Sequence, residues 1–336
     1  MDKENFSLSL WWKALRYHFI PPSIFPATLG GVISWAINNE FSPWYFSLVL
    51  IGMVFNHMGV NMTDDYFDYM HSVDRLKPGE KNPYSGGSGL LSAGLIEPSK
   101  MLLAFSLCYL ITASIGFYLT FMRGLIILFF GLFGMFCSIF YTAGPVHFSH
   151  RGLGEIGLLI NFGTTIGMGS YYVQSGELSF EPFLATLPLG IMLFSMIVIN
   201  EIPDFDEDKL AGKLTLVARY GKRTGIHLYV LSWIVTYSII LGGIILRFLP
   251  IYTFLAFLSL PLVFASIRIL MRDYNDPVKM APANLNMIKA HSVTSIGIIL
   301  SYIIHGFING SNIFNLLFIL LLFSITYFPA FKTFFD

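Results

Sequence analysis

Apolar runs of about 20 residues recur from one end of the chain to the other, separated by short polar stretches. Ten can be marked, at 18–37, 43–66, 99–122, 124–142, 153–174, 182–202, 224–247, 251–271, 288–309 and 311–331. That is roughly the length an α-helix needs to cross a hydrocarbon layer. Runs three and four are separated only by Arg123-Gly124, and the last two by Asn309-Gly310-Ser311. No Pro/Ser-rich or charged linker divides the pattern, so one unit over residues 1–336 is expected. The fold class predicted is all-α, a polytopic membrane bundle of nine to ten transmembrane helices.

The polar positions are not spread evenly. With the N-terminus on one side and the runs alternating, 18 of the 20 Lys and Arg residues fall on the N-terminal side, leaving Arg123 and Arg247 on the other. The positive-inside rule makes the rich side cytoplasmic. The two longest connections, 69–98 and 203–223, lie on that side and are expected to form a cap of cytoplasmic loops. Composition agrees: 55% of the residues are hydrophobic and 12% charged, about half the charge of a soluble domain. The formal net charge is zero, which argues against a nucleic-acid partner. Cys108 and Cys137 both sit inside apolar runs and form no disulfide framework. The N-terminal stretch lacks the apolar core and small residues of a signal peptide. Its Trp11, Trp12, Lys13 and Arg16 suit an interfacial anchor.

Nine of the 20 acidic residues fall in two short windows at the cytoplasmic ends of the second and sixth runs. The first, NMTDDYFDYM, holds Asp64, Asp65 and Asp68, followed by Asp74. The second, NEIPDFDEDK, holds Glu201, Asp204, Asp206, Glu207 and Asp208. At about 100° per residue, Asn61, Asp65 and Asp68 share one helix face. Asn200, Asp204 and Asp208 repeat the idea, although Pro203 can kink the helix or start a new turn there. Facing carboxylates at a membrane edge repel one another and need cations between them. Oxygen ligands without a Cys or His pattern point to Mg²⁺, which typically takes one or two carboxylates plus phosphate oxygens. A diphosphate is the natural third party. Lys209 and Lys213 beside the second cluster, and Arg75, Lys77 and Lys81 beyond the first, are placed to hold its remaining charge. A diphosphate reached from inside a bundle implies a lipid tail.

These residues resemble the UbiA superfamily of intramembrane prenyltransferases. The likeness rests on Asn61 to Asp68 with Asp74, on Asn200 to Gly221 (NEIPDFDEDKLAGKLTLVARYG), on Tyr141-Thr-Ala-Gly-Pro145, on Gly152-Leu-Gly-Glu155, and on Trp12-Lys-Ala-Leu-Arg16 with Pro21, Pro22 and Pro26. It covers about residues 11–300 and is most like the menaquinone branch, which prenylates 1,4-dihydroxy-2-naphthoate. It implies a bundle with a cytoplasmic cap, Mg²⁺ as cofactor, and polyprenyl diphosphate and an aromatic acceptor as partners, with membrane lipid around them and no obligate protein partner. By motif, Asn61, Asp65, Asp68, Asp204 and Asp208 would carry the metals, with Asp64 standing where Asn is usual. Asp65, Asp68, Asp204, Asp208 and Tyr141 are the catalytic candidates. Asn61, Asn200, Lys209, Lys213, Arg75 and Lys77 are the cofactor- and diphosphate-binding ones. A tenth run exceeds the family's usual nine helices.

Other residues carry two readings each. Ser85-Gly-Gly-Ser-Gly89 can bring backbone N–H groups to phosphate or serve as a cap hinge. Tyr141 can polarise the acceptor or shield a cation, or be an interfacial tyrosine. His147 and His150 can accept a ring proton or be solvated. Glu155 suits a helix N-terminus, and His57 faces the same way as Asn61. The alternatives to the naphthoate reading are another acceptor (4-hydroxybenzoate, a chlorophyll-type ring, a glycerol-phosphate lipid) or a cation transporter. A CDP-alcohol phosphotransferase would need a D-G-x-x-A-R motif that is absent.

Overall fold

The computed structural model describes residues 8–71 and 82–335, and among them there is no strand. Thirteen α-helices follow in order: α1 Leu8–Ala14, α2 Pro21–Ile33, α3 Pro43–Met70, α4 Pro98–Arg123, α5 Leu125–Phe140, α6 Gly154–Ile160, α7 Ile166–Ser175, α8 Phe180–Leu210, α9 Leu216–Tyr220, α10 Lys222–Ile245, α11 Leu260–Asp273, α12 Ala281–Ile308 and α13 Ile313–Phe335. Each of the ten apolar runs is helical for most of its length, yet they differ in build. Six helical segments among the described residues are long and apolar enough to cross a membrane, or seven if the bent segment through α1 and α2 counts as one span. The run at 124–142 yields the 16-residue α5. The run at 153–174 is interrupted by a π-turn at Asn161–Thr165. The run at 251–271 opens as a 3₁₀ segment, Ile251–Ser259, before α11. Proline or glycine sets most of the boundaries. Ser42 caps α3 by accepting from the Tyr45 N–H at 3.4 Å, with Pro43 at the first helical position. Gly124, at φ 116°, reverses the chain between α4 and α5 within one residue, a conformation that side chains resist.

Burial separates an inner from an outer layer. Every residue of α2 is buried, and most of α8 and α12 are as well, around Trp35, Tyr229, Trp233 and Tyr302. Large apolar side chains such as Phe121, Leu125, Phe129 and Phe314 are exposed on the outer helices, as a lipid solvent permits. The stretch expected as a loop at 203–223 is largely helix. Pro203 lies inside α8, which continues to Leu210, and α9 occupies 216–220. The sixth span therefore projects its acidic end as a rigid rod. Asp74, Arg75, Lys77 and Lys81 lie outside the described residues.

Candidate active site at the aspartate mouth

The last three turns of α3 carry Asn61, Asp64, Asp65 and Asp68. Three of the four are buried: Asn61, Asp65 at 2% exposure and Asp68 at 6%. Arg16 meets them from the turn after α1. Its Nη1 lies 3.6 Å from Asp64 Oδ2 and 3.7 Å from Asp65 Oδ1. Its Nη2 donates to the Gly86 carbonyl at 3.0 Å, and its guanidinium covers the Phe19 ring at 4.9 Å. Asn61 fixes that turn, donating from Nδ2 to the carbonyls of Leu15 at 3.0 Å and Arg16 at 3.4 Å. Thr142 Oγ1 donates to Asp64 Oδ1 at 3.1 Å. The sequence marks Arg16 as an anchor and as the end of the Trp12–Arg16 motif; the structure makes it the countercharge of the first cluster. The available signal was its place on the cytoplasmic side immediately before an apolar run.

The second cluster sits on α8, where the continuous helix keeps Asn200, Asp204 and Asp208 on one face. The Ser85–Gly89 loop ties the two clusters together. Ser88 N–H donates to Asp65 Oδ1 at 3.0 Å, and Ser85 Oγ donates to Asp204 Oδ1 at 2.9 Å. A row of amides seats this loop. Tyr84 N–H donates to Asn82 Oδ1, Asn82 Nδ2 donates to Asn284 Oδ1 at 3.1 Å, and Asn284 Nδ2 donates to Asn200 Oδ1 at 2.7 Å. Asn200 thus receives its hydrogen bond from α12.

Lys213 closes the mouth. Its Nζ donates to Asp68 Oδ2 at 3.0 Å, and its backbone N–H to the Asp208 carbonyl at 2.8 Å. Burial on its own would lower its pKa, but the surrounding carboxylates of Asp68, Asp208 and Asp64 outweigh it and hold the ammonium charged. Tyr141 lies at the C-terminal end of α5, within electrostatic reach of Asp64 and Lys213. Lys209 is not drawn in: it is exposed, and its ammonium lies over the Phe205 ring at 5.6 Å. His57 is engaged below the site, Nδ1 to Ser23 Oγ at 2.6 Å. His147 and His150 do meet, and His71 joins them, with ring centroids 5.0–5.5 Å apart. His150 is pushed down to about 4 by burial and by the positive charge of Lys213 and the other two rings.

The residues present fit a divalent cation in a particular way. Asp65 Oδ2 and Asp68 Oδ1 are buried and accept no hydrogen bond. Such orphaned carboxylate oxygens are costly unless something binds them. Among the described residues no three His, Cys, Asp or Glu side chains converge into a ready-made cage. That is the donor set Mg²⁺ accepts, one or two carboxylates with the rest of the shell from water and phosphate.

An apolar groove begins below the mouth, between α3, α4, α5 and α7. It has a volume of about 160 Å³ and is lined by Leu48, Met53, Ile115, Ile127, Phe130 and Val173, with Asn56 among its polar residues. Asn56 is eight residues from Asp64, roughly 12 Å along the helix.

A family model described as the UbiA prenyltransferase family matches residues 23–292. The 1,4-dihydroxy-2-naphthoate octaprenyltransferase of Bacillus subtilis is 23% identical over 305 residues, covering 90% of this chain and 95% of that protein. The protein of the same name from Escherichia coli is 25% identical over 301 residues, covering 85% and 92%. Among solved structures, the UbiA homologue of Archaeoglobus fulgidus bound to GPP and Mg²⁺ has a TM-score of 0.61 at 14% identity, covering 88% of this chain and 98% of that one. With this match over residues 23–292, the chain is an enzyme and belongs to the UbiA prenyltransferase family.

Proposed function

We propose that the protein transfers a polyprenyl group from its diphosphate to 1,4-dihydroxy-2-naphthoate at the cytoplasmic face of the cytoplasmic membrane, in menaquinone biosynthesis. The observation that carries the site is the shared mouth, where a single loop links Asp65 of α3 to Asp204 of α8 while Asp65 and Asp68 each keep a buried oxygen unpartnered. The relatives named for dihydroxynaphthoate, matched over most of both chains, support the acceptor. The basic-residue skew supports the orientation.

Mg²⁺ ions, each taking one or two carboxylates from Asp65 and Asp68 on α3 or Asp204 and Asp208 on α8, would neutralise the diphosphate so that it leaves as a weaker base. The chain's own part is to bind, orient and exclude water. Lys213 on Asp68 and Arg16 beside Asp64 and Asp65 supply positive charge at the mouth. The groove, which begins roughly 12 Å below Asp64, takes the distal part of the tail. The C–O bond breaks with its electron pair leaving on the diphosphate. The ring carbon bearing the carboxylate forms the new C–C bond, and CO₂ departs, returning its electron pair to the ring. No ring proton is released on this acceptor, so the reaction needs no base from His147 or His150. A hydroxybenzoate acceptor would need one.

The test is a lipid-reconstituted assay with Mg²⁺, geranylgeranyl diphosphate, and dihydroxynaphthoate or 4-hydroxybenzoate in parallel. A prenylated, decarboxylated naphthol that disappears with EDTA is the expected result. Product from hydroxybenzoate alone would overturn the acceptor. Asp65→Asn and Asp204→Asn should each cost roughly 10²-fold or more in turnover while the bundle stays folded; full activity in both would sink the metal bridge.

A further inference from the structure

The N-terminus of α9 is held by two buried carboxyls from elsewhere in the fold. Glu155, on α6 and 1% exposed, accepts from the Leu216 N–H through Oε1 at 2.7 Å. Glu201, on α8 and 7% exposed, accepts from the Val217 N–H through Oε2 at 3.3 Å. Thr215 accepts from the Ala218 N–H at 3.1 Å. Three successive N–H groups are therefore satisfied by side chains from three elements. A five-residue helix has no stability of its own, so these bonds decide where it sits. Further ties fasten it to the same turn: Arg219 Nη2 donates to the Arg151 carbonyl at 3.0 Å, and a Cβ on Gly152 would come within 3.4 Å of the Leu214 carbonyl oxygen.

Lys213 lies just ahead of this helix. Its backbone is fixed on one side by the end of α8, through the Asp208 carbonyl, and on the other by Thr215 and α9. A lysine side chain has large rotational freedom. Delivering its ammonium to Asp68 at 3.0 Å requires that its backbone not drift. Each carboxyl spends one oxygen on the start of α9, Glu155 Oε1 on the Leu216 N–H and Glu201 Oε2 on the Val217 N–H. Burying two acids side by side is unfavourable, and a cap alone would be served by Thr215.

We infer that Glu155 and Glu201 are positioning residues for diphosphate binding, which act through α9 to hold Lys213 at the aspartate mouth. This rests on the reading of that mouth as a diphosphate site. Glu155→Leu removes the acceptor for Leu216, whereas Glu155→Gln keeps one. Leu216→Pro deletes the same bond from the donor side, at a first helical position where proline is well tolerated; Thr215, at φ −60° and ψ 167°, already has the backbone a residue before proline needs.

The experiment is calorimetric titration of the full-length protein in nanodiscs with inorganic diphosphate at saturating Mg²⁺, together with thermal unfolding. Glu155→Leu and Leu216→Pro should each weaken binding about tenfold, and Glu155→Gln by no more than about twofold. Lys213→Met should weaken it at least as much as Glu155→Leu, and adding Glu155→Leu to Lys213→Met should cost nothing further. A Glu155→Leu protein that folds and binds as the wild type does would overturn the inference, as would full additivity with Lys213→Met. A wild-type protein that binds no diphosphate would overturn the site reading itself, a separate result. Should Glu155→Leu fail to fold, Leu216→Pro decides the matter by the same criteria.

Discussion

Asp64 and Asp65 stand side by side at the edge of a bilayer, and their tolerance depends on single partners. Arg16 supplies the countercharge to both, Thr142 takes one oxygen of Asp64, and Ser88 one of Asp65. Lys213 does the same for Asp68. Only Asp65 Oδ2 and Asp68 Oδ1 are left over, and they are the oxygens a cation would claim. None of these partners could be read from spacing, because Arg16, Thr142 and Lys213 come from distant segments. The same holds for His150, which shares its pocket with His71, His147 and Lys213 and feels Asp64 in the opposite sense. Folding lowers its pKa from the usual value near 6.5 to about 4. Between those limits the unfolded chain binds more protons than the folded one, so this residue's contribution to stability is complete above about 6.5 and is lost as pH falls towards 4. His150→Phe should flatten the decline in unfolding temperature across that window relative to the wild type. An unchanged slope would mean that His150 does not titrate there.

At the scale of elements, placement depends on close backbone contact. A Cβ on Gly190 of α8 would lie 2.2 Å from the Leu159 carbonyl oxygen, and 2.9 Å from the Gly163 Cα in the adjoining π-turn. One on Gly30 of α2 would lie 2.2 Å from the Gly167 carbonyl oxygen. Small residues let helices approach where lipid offers no hydrophobic drive to associate. Gly190→Val should therefore destabilise the bundle by about 1–3 kcal/mol, read as a lower unfolding temperature in detergent. Gly116→Ala, whose added methyl meets nothing within 4 Å, should leave it unchanged or slightly higher. The apolar runs marked most helices correctly, since a 20-residue apolar run has one main use. They misjudged 203–223, where Pro203 and a dense set of charges suggest a loop. The helix continues past both signals to Leu210, with Lys222 of α10 donating to Asp206 at 3.2 Å. Glu155 reads as a cap for the start of its own helix, but it caps α9, some sixty residues away. Local pattern cannot show which N-terminus a carboxylate reaches.

For the molecule as a whole, charge collects at one end and empty apolar space lies below it. The aspartate pattern disclosed the charged end, because its carboxylates recur at helical spacing at the ends of two apolar runs. The family likeness implied a lateral groove, but its lining was not legible, since the residues there are the same Leu, Ile, Phe and Gly that fill any membrane core. If the donor tail lies in it, as proposed, the groove's shape sets which donors fit. Gly131 of α5 lines the groove, and a Cβ there meets nothing within 4 Å, so a side chain grows into free space instead of into a neighbouring helix. Gly131→Phe should fill part of the groove while leaving the mouth, some turns away, intact. The expected outcome is selective: kcat/KM for geranylgeranyl diphosphate falls about tenfold or more, and that for dimethylallyl diphosphate changes little. Equal losses for both donors would place the tail elsewhere. An unchanged profile would show that the long chain leaves the bundle above Gly131, at the level of Asn56, and lies in the bilayer.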